Sequence, residues 1–78
     1  MNELLTFLVQ GITGNKDFTI EESEENGETT LRVILPTSDI GLIIGKGGQT
    51  IKAIQTLVRV RGRLEGKEVL VLVEEKTN

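Results

Sequence analysis

The chain has 78 residues, a net charge of −3 and no cysteine, histidine, tryptophan or tyrosine; it is expected to be one small domain over residues 1–78, without disulfides, thiol or imidazole catalysis or an ordinary zinc site. No enzyme, cofactor or metal is therefore implied, and nine glycines against one proline direct attention to the backbone instead. The longest apolar run, Val69 to Val73, is far shorter than a membrane span, and Glu3 stands where a signal peptide carries positive charge, so a soluble cytoplasmic protein is expected.

Residues 2 to 13 are predicted to form a helix. Leu4, Leu5, Leu8, Val9 and Ile12 share one face at about 100° per residue, and Gly14-Asn15 stops the run. Phe7 lies off that face with Glu3, Thr6 and Gln10, which makes this exposed aromatic a candidate dimer contact. Phe18 and Ile20 alternate with Thr19 and Glu21 as the start of a strand. Asn26-Gly27 then signals a tight hairpin, because both positions tolerate positive φ. In the next strand, Thr29 to Leu35, the residues Leu31, Val33 and Leu35 alternate with Thr30, Arg32 and Ile34, and Pro36 ends it by removing an amide donor.

Thr37 or Ser38 is placed to cap a short helix with Asp39 in its first turn, running from Ile40 to Ile44. After Gly45-Lys46-Gly47-Gly48 a longer helix is expected. Ile51, Ile54, Leu57 and Val58 form its apolar stripe, Lys52, Gln55, Thr56 and Arg59 stand opposite, and it ends near Gly62. Glu65-Gly66 is a turn, Val69 to Val73 a strand apolar on both faces, and Glu74 to Asn78 a charged tail. The order α-β-β-α-α-β predicts an α+β fold. Its hairpin is antiparallel, and the strand–helix–helix–strand crossover leaves the second and third strands parallel. The result is a three-stranded mixed sheet with helices packed on one face.

The glycine segment fails two commoner phosphate motifs. A P-loop needs a glycine where Ile40 stands and a Ser or Thr where Gly47 stands, and a dinucleotide-binding turn needs a third glycine at Thr50. What remains is Ile44-Gly45-Lys46-Gly47-Gly48 between two helices, which resembles the GxxG loop of a KH domain, a clamp for nucleic-acid backbone. Gly45 and Gly48 permit the reversal and close approach of a sugar–phosphate chain, and the amides near Gly48, Gln49 and Thr50 face an anion. Lys46 adds a mobile charge. Ile40, Ile44 and Ile51 are candidates for the floor under the bases; Gly41 is expected to serve close helix packing more than ligand approach; Lys52 and Arg59 are either phosphate contacts or solvated side chains.

The element order matches the type II KH arrangement. Length and the Asp39-Ile40-Gly41 to Ile43-Ile44-Gly45 stretch are similar to the small stand-alone bacterial KH proteins of the KhpA type, over nearly the whole chain. That resemblance implies single-stranded RNA as partner, a role as RNA chaperone or post-transcriptional regulator, and pairing with itself or with a second KH protein. Members often carry basic residues where Leu42, Gly47 and Gln49 stand here, so this groove holds fewer cations.

Charge distribution bears on the choice of function. Residues 1 to 30 hold seven acids against Lys16 alone, a balance of −6, whereas residues 31 to 68 carry a balance of +4. The central region therefore suits a polyanion. A competing reading makes the fold a dimerisation or scaffold module, favoured by the acidic total and by Phe7; a phosphate-using enzyme has only the glycine loop in its favour.

Overall fold

The computed structural model describes residues 2–76. It contains α1 (Asn2–Thr13), β1 (Thr19–Glu25), β2 (Glu28–Leu35), α2 (Thr37–Ile44), a 3-10 turn (Lys46–Gly48), α3 (Gln49–Leu64) and β3 (Glu68–Glu75), so the order and the mixed α+β arrangement agree with the sequence reading. The strands lie in the order β1-β2-β3, antiparallel then parallel, with β2 central. Asn26 and Gly27 have φ of 54° and 80°, the left-handed pair that a two-residue hairpin needs.

Period-two patterning fixes which side of the sheet the helices cover. Leu31, Val33 and Leu35 of β2 are buried, and Val71 of β3 is paired with Leu31 on the same side. Leu5 and Val9 of α1, Ile43 of α2, and Ile54 and Val58 of α3 close over them as one core. Each fully buried aliphatic side chain contributes roughly 1.5–3 kcal/mol, and these nine residues are the main source of stability. Among the described residues no element covers the opposite face. Leu70 and Leu72 alternate onto it and stay 42% and 41% exposed, so β3 is not buried on both sides as its apolar run suggested.

Arg32 sits at the centre of the uncovered face, between Glu21 on β1 and Leu72 on β3. Its Nη2 lies 2.5 Å from Glu74 Oε1, and its Nη1 lies 3.9 Å from Glu21. Hydrogen bonding to Glu74, then the charges of Glu74 and Glu21, push the guanidinium pKa upward. Arg32 is thus committed to its neighbours and is withdrawn from the positive balance counted along the chain.

Several local expectations are corrected. Pro36 is the N-cap of α2 and no side chain caps it; Thr37 is already helical, and its hydroxyl donates to Glu75 instead. Leu57 is 53% exposed, because the three-stranded sheet is too narrow to cover that flank of α3. Gln55 is half-buried, and its Nε2 donates to the Val71 carbonyl at 3.2 Å. The helix passes through buried Gly62 to Leu64. Its last turn is closed when the amides of Glu65 and Lys67 donate to the Gly62 carbonyl at 3.0 and 2.8 Å. Glu74 and Glu75 extend β3 rather than starting a tail, whose last residues, Thr77 and Asn78, lie outside the described residues.

Candidate nucleic-acid interface

The glycine turn is built by contacts that no spacing rule displays. The Gly45 amide donates to the Gly41 carbonyl at 2.9 Å, ending α2, and the Gly48 amide donates to the Gly45 carbonyl at 3.1 Å, closing the reversal. Gly45, Gly47 and Gly48 all have positive φ, at 74°, 64° and 77°. Gly45 is doubly constrained, because a Cβ there would stand 2.1 Å from Thr50 Oγ1 and 2.6 Å from Thr50 Cβ. A Cβ at Gly47 or Gly48 would meet nothing within 4 Å, so those two are required by backbone conformation alone. Open space at Gly48 is compatible with close approach from outside; at Gly45 the space is already taken by Thr50.

This geometry presents Lys46 at the tip of the turn, exposed, immediately before the N-terminus of α3. Not every amide there is free. Gly48 uses its N–H within the turn and Gln49 donates to the Lys46 carbonyl, so two of the three amides expected to face an anion are engaged. The aligned peptide dipoles of α3 still place partial positive charge at this end, and its first turn contains no acidic residue and no side-chain cap to neutralise it.

Around the turn, Ile40, Ile44 and Ile51 are half-buried, with Ile40 and Ile51 packed on the core. They therefore offer apolar surface without being part of the sealed interior. Ile43, between them in sequence, is the residue α2 commits to the core. Gly41 is exposed with no atom within 4 Å of a Cβ position, which overturns its assignment to close helix packing. Gln49 and Lys52 are exposed on the first turn of α3. Among the described residues, Lys46 and Lys52 make no ion pair. The nearest acid in sequence, Asp39, accepts a hydrogen bond from Asn15 Nδ2 at 3.2 Å.

Phe7 is 73% exposed, as its position off the apolar face predicts. A shallow hollow of about 350 Å³ lies between α1 and β1, lined by Asn2, Thr6, Gln10, Lys16, Phe18 and Ile20. None of its lining residues belongs to the glycine turn, and an extended strand laid on an open surface needs no enclosed cavity. Sequence reasoning missed a further feature of α3: Leu57, Val60 and Leu64, spaced by three and four residues, are 53%, 52% and 80% exposed on one side of the helix. The spacing was readable, but only the structure shows that nothing among the described residues covers it. No helix among the described residues is long and apolar enough to cross a membrane.

A helix, a Gly-Lys-Gly-Gly turn and a second helix, inserted between two parallel strands of a three-stranded α-β-β-α-α-β fold, define a KH domain. The chain matches the model of the KhpA/KhpB KH domain over residues 2–73, and it belongs to that family. The RNA-binding protein KhpA of Chlamydia trachomatis is 38% identical over 97% of this chain and all of its own length. The protein of the same name from Thermotoga maritima is 32% identical over 74% of this chain and 79% of its own, and that from Listeria monocytogenes is 30% identical over 96% and 100%. Among solved structures, Aquifex aeolicus Era bound to GDP and aluminium fluoride superposes with a TM-score of 0.63 over 95% of this chain and 29% of that one. At 18% identity the likeness concerns the fold.

Proposed function

We propose that this chain binds single-stranded RNA by holding its sugar–phosphate backbone against the Gly45–Gly48 turn. Lys46 and the positive end of α3 attract phosphate, Gly41 leaves room for backbone, and Ile40, Ile44 and Ile51 support the bases. The observation that carries the reading is the turn itself, in which Thr50 leaves no room for a side chain at Gly45 and Lys46, unpaired among the described residues, projects at the start of α3. Kinship with proteins named RNA-binding protein KhpA supports it. In this reading the protein acts in the cytoplasm as an RNA chaperone or post-transcriptional regulator and performs no chemistry on its ligand.

The test is fluorescence anisotropy with a four-nucleotide RNA and the Lys46→Asp variant. Lys46 is exposed, so the fold survives within about 0.5 kcal/mol. Replacing the cation by a carboxylate lowers affinity at least about tenfold, or roughly 1.4 kcal/mol. Unchanged affinity in a folded variant would remove the loop mechanism.

A second reading, pairing with another copy or with a second KH protein, is favoured by the exposed Leu57, Val60 and Leu64 on α3. It is compatible with RNA binding, because two linked clamps raise avidity without new contacts to RNA. Phe7 on α1 is the alternative pairing surface.

A further inference from the structure

Five basic residues follow the glycine turn on α3 and its exit: Lys52, Arg59, Arg61, Arg63 and Lys67. They do not form one cluster. At about 100° per residue, Lys52, Arg59 and Arg63 fall within roughly 40° of one another, whereas Arg61 lies on the far side of the helix. The structure separates them in the same way. Arg61 Nε donates to Glu65 Oε2 at 2.9 Å, while Lys52, Arg59 and Arg63 are exposed and, among the described residues, unpaired. The acid of that turn is spent on the arginine off the row.

Helix stability alone does not account for this row. Cations in the last turn favour the helix dipole, which covers Arg63, but Arg59 stands before that turn and Lys52 near the N-terminal end, where the dipole disfavours it. The row also has a definite place. Gln55, about 60° around the helix from Lys52, reaches the Val71 carbonyl, so the cations border the side of α3 that faces β3. On their other side stand Leu57, Val60 and Leu64.

We infer that Lys52, Arg59 and Arg63 form a second phosphate-binding segment, a ridge that continues the RNA path from the glycine turn along α3. This deepens, and depends on, the reading of the turn as a single-strand clamp. Eleven residues at 1.5 Å place Lys52 and Arg63 about 17 Å apart along the axis. A stacked strand rises about 3.4 Å per nucleotide along its axis, so a strand lying along the ridge passes about five nucleotides over it beyond the roughly four held by a GxxG loop. The RNA recognised is then about eight to ten nucleotides long, and its outer half is held by charge without base reading.

Strand length and salt test the ridge together. Each phosphate contact to a single strand adds about 0.7 to the log–log salt slope. A tetranucleotide touching Lys46 and Lys52 should give about −1.4; a decanucleotide reaching Arg59 and Arg63 should give about −2.8. Between 50 and 200 mM salt these correspond to about sevenfold and about fiftyfold losses of affinity. The slope decides the matter, because a longer strand binds tighter merely by offering more registers. Arg59→Gln/Arg63→Gln should return the decanucleotide to the shallow slope and leave tetranucleotide binding unchanged. Equal slopes for the two lengths on the unaltered protein would overturn the ridge, whether or not the variant folds. A folded variant that keeps the steep slope, or tighter binding of duplex RNA than of the decanucleotide, would also overturn it. Failure of the clamp reads differently: Lys46→Asp would then leave tetranucleotide affinity untouched.

Discussion

Gln49→Glu should make the protein more stable and a poorer binder at once. Gln49 is the first residue of α3, exposed, in a first turn that has no acidic residue and no side-chain cap. A carboxylate there opposes the dipole and stands three residues before Lys52; together these add about 0.5–1 kcal/mol. In a domain of this size that raises the melting temperature by about 2–8 °C. The same carboxylate occupies the ground on which phosphate is proposed to sit. At about 6 Å, like charges repel by about 0.7 kcal/mol in water and about 2.8 kcal/mol at an effective dielectric of 20. An exposed site lies toward the lower figure, and Lys52 is partly neutralised as well, so affinity should fall about five- to tenfold, or roughly 1–1.4 kcal/mol. Circular dichroism melts and anisotropy with a tetranucleotide at 50 mM salt measure the two effects on one preparation. A raised melting temperature with unchanged binding would refute the placement of phosphate at the start of α3. A lowered melting temperature would refute the account of its uncapped first turn.

Gly45→Ala should cost about 2–5 kcal/mol in urea unfolding, combining the strain of a positive-φ extended conformation (φ 74°, ψ 174°) with overpacking against Thr50; Thr50→Ala does not rescue it, since the Cβ left at residue 50 still lies 2.6 Å from the new methyl. Gly47→Ala pays only the conformational part, about 1–2 kcal/mol. Leu57→Glu should shift sedimentation toward the monomer without lowering the melting temperature, and Phe7→Glu should leave both unchanged; the reverse pattern would move the pairing surface to α1. Arg61 donates a hydrogen bond that holds the Glu65 carboxyl below the ordinary glutamate range. The stability gap between wild type and Glu65→Gln should therefore be fully present above about pH 4.5 and vanish as pH falls through the lowered pKa, as read from melting temperature against pH.

What could be read from the sequence was what depends on near neighbours. The hairpin follows from the positive φ that Asn26-Gly27 tolerates, the core side of β2 from strict alternation, and the parallel pairing from the length of the crossover. The errors all concern partners distant in the chain or set by the shape of the whole. Leu57 satisfies the periodicity of a core position, yet burial requires an opposing element, and the three-stranded sheet does not reach it. Gln55 looks like a solvated residue until β3 brings the Val71 carbonyl within 3.2 Å. Thr37 has the chemistry of a cap, but Pro36 takes the cap position and the hydroxyl turns to Glu75, 38 residues away. In the candidate site the glycines were legible as a turn. Which of them is sterically locked was not, because the Gly45–Thr50 contact arises only once the turn has closed.

The net acidity of the chain, which argues against binding a polyanion, takes on another meaning once the charges are placed. Glu21, Glu22, Glu24 and Glu25 lie on β1, at the edge of the sheet away from β3. Two strand spacings of about 4.8 Å put that edge roughly 10 Å from β3, slightly more than the screening length of about 8 Å at physiological salt. The acids therefore repel a strand from their own edge while their field at the α3 side is largely screened. Glu74 and Glu65 act more locally, each tying up one arginine, Arg32 and Arg61, that would otherwise draw RNA to the uncovered sheet face or the far side of α3. Lys46, Lys52, Arg59 and Arg63 are left exposed, in line from the turn along one side of a helix. Lys16, Lys67 and Lys76 are also exposed and unpaired among the described residues, but each stands singly outside the helices and strands. Acidic residues elsewhere thus bias where a polyanion settles, and the thin cationic set is effective because it is the one aligned along a helix.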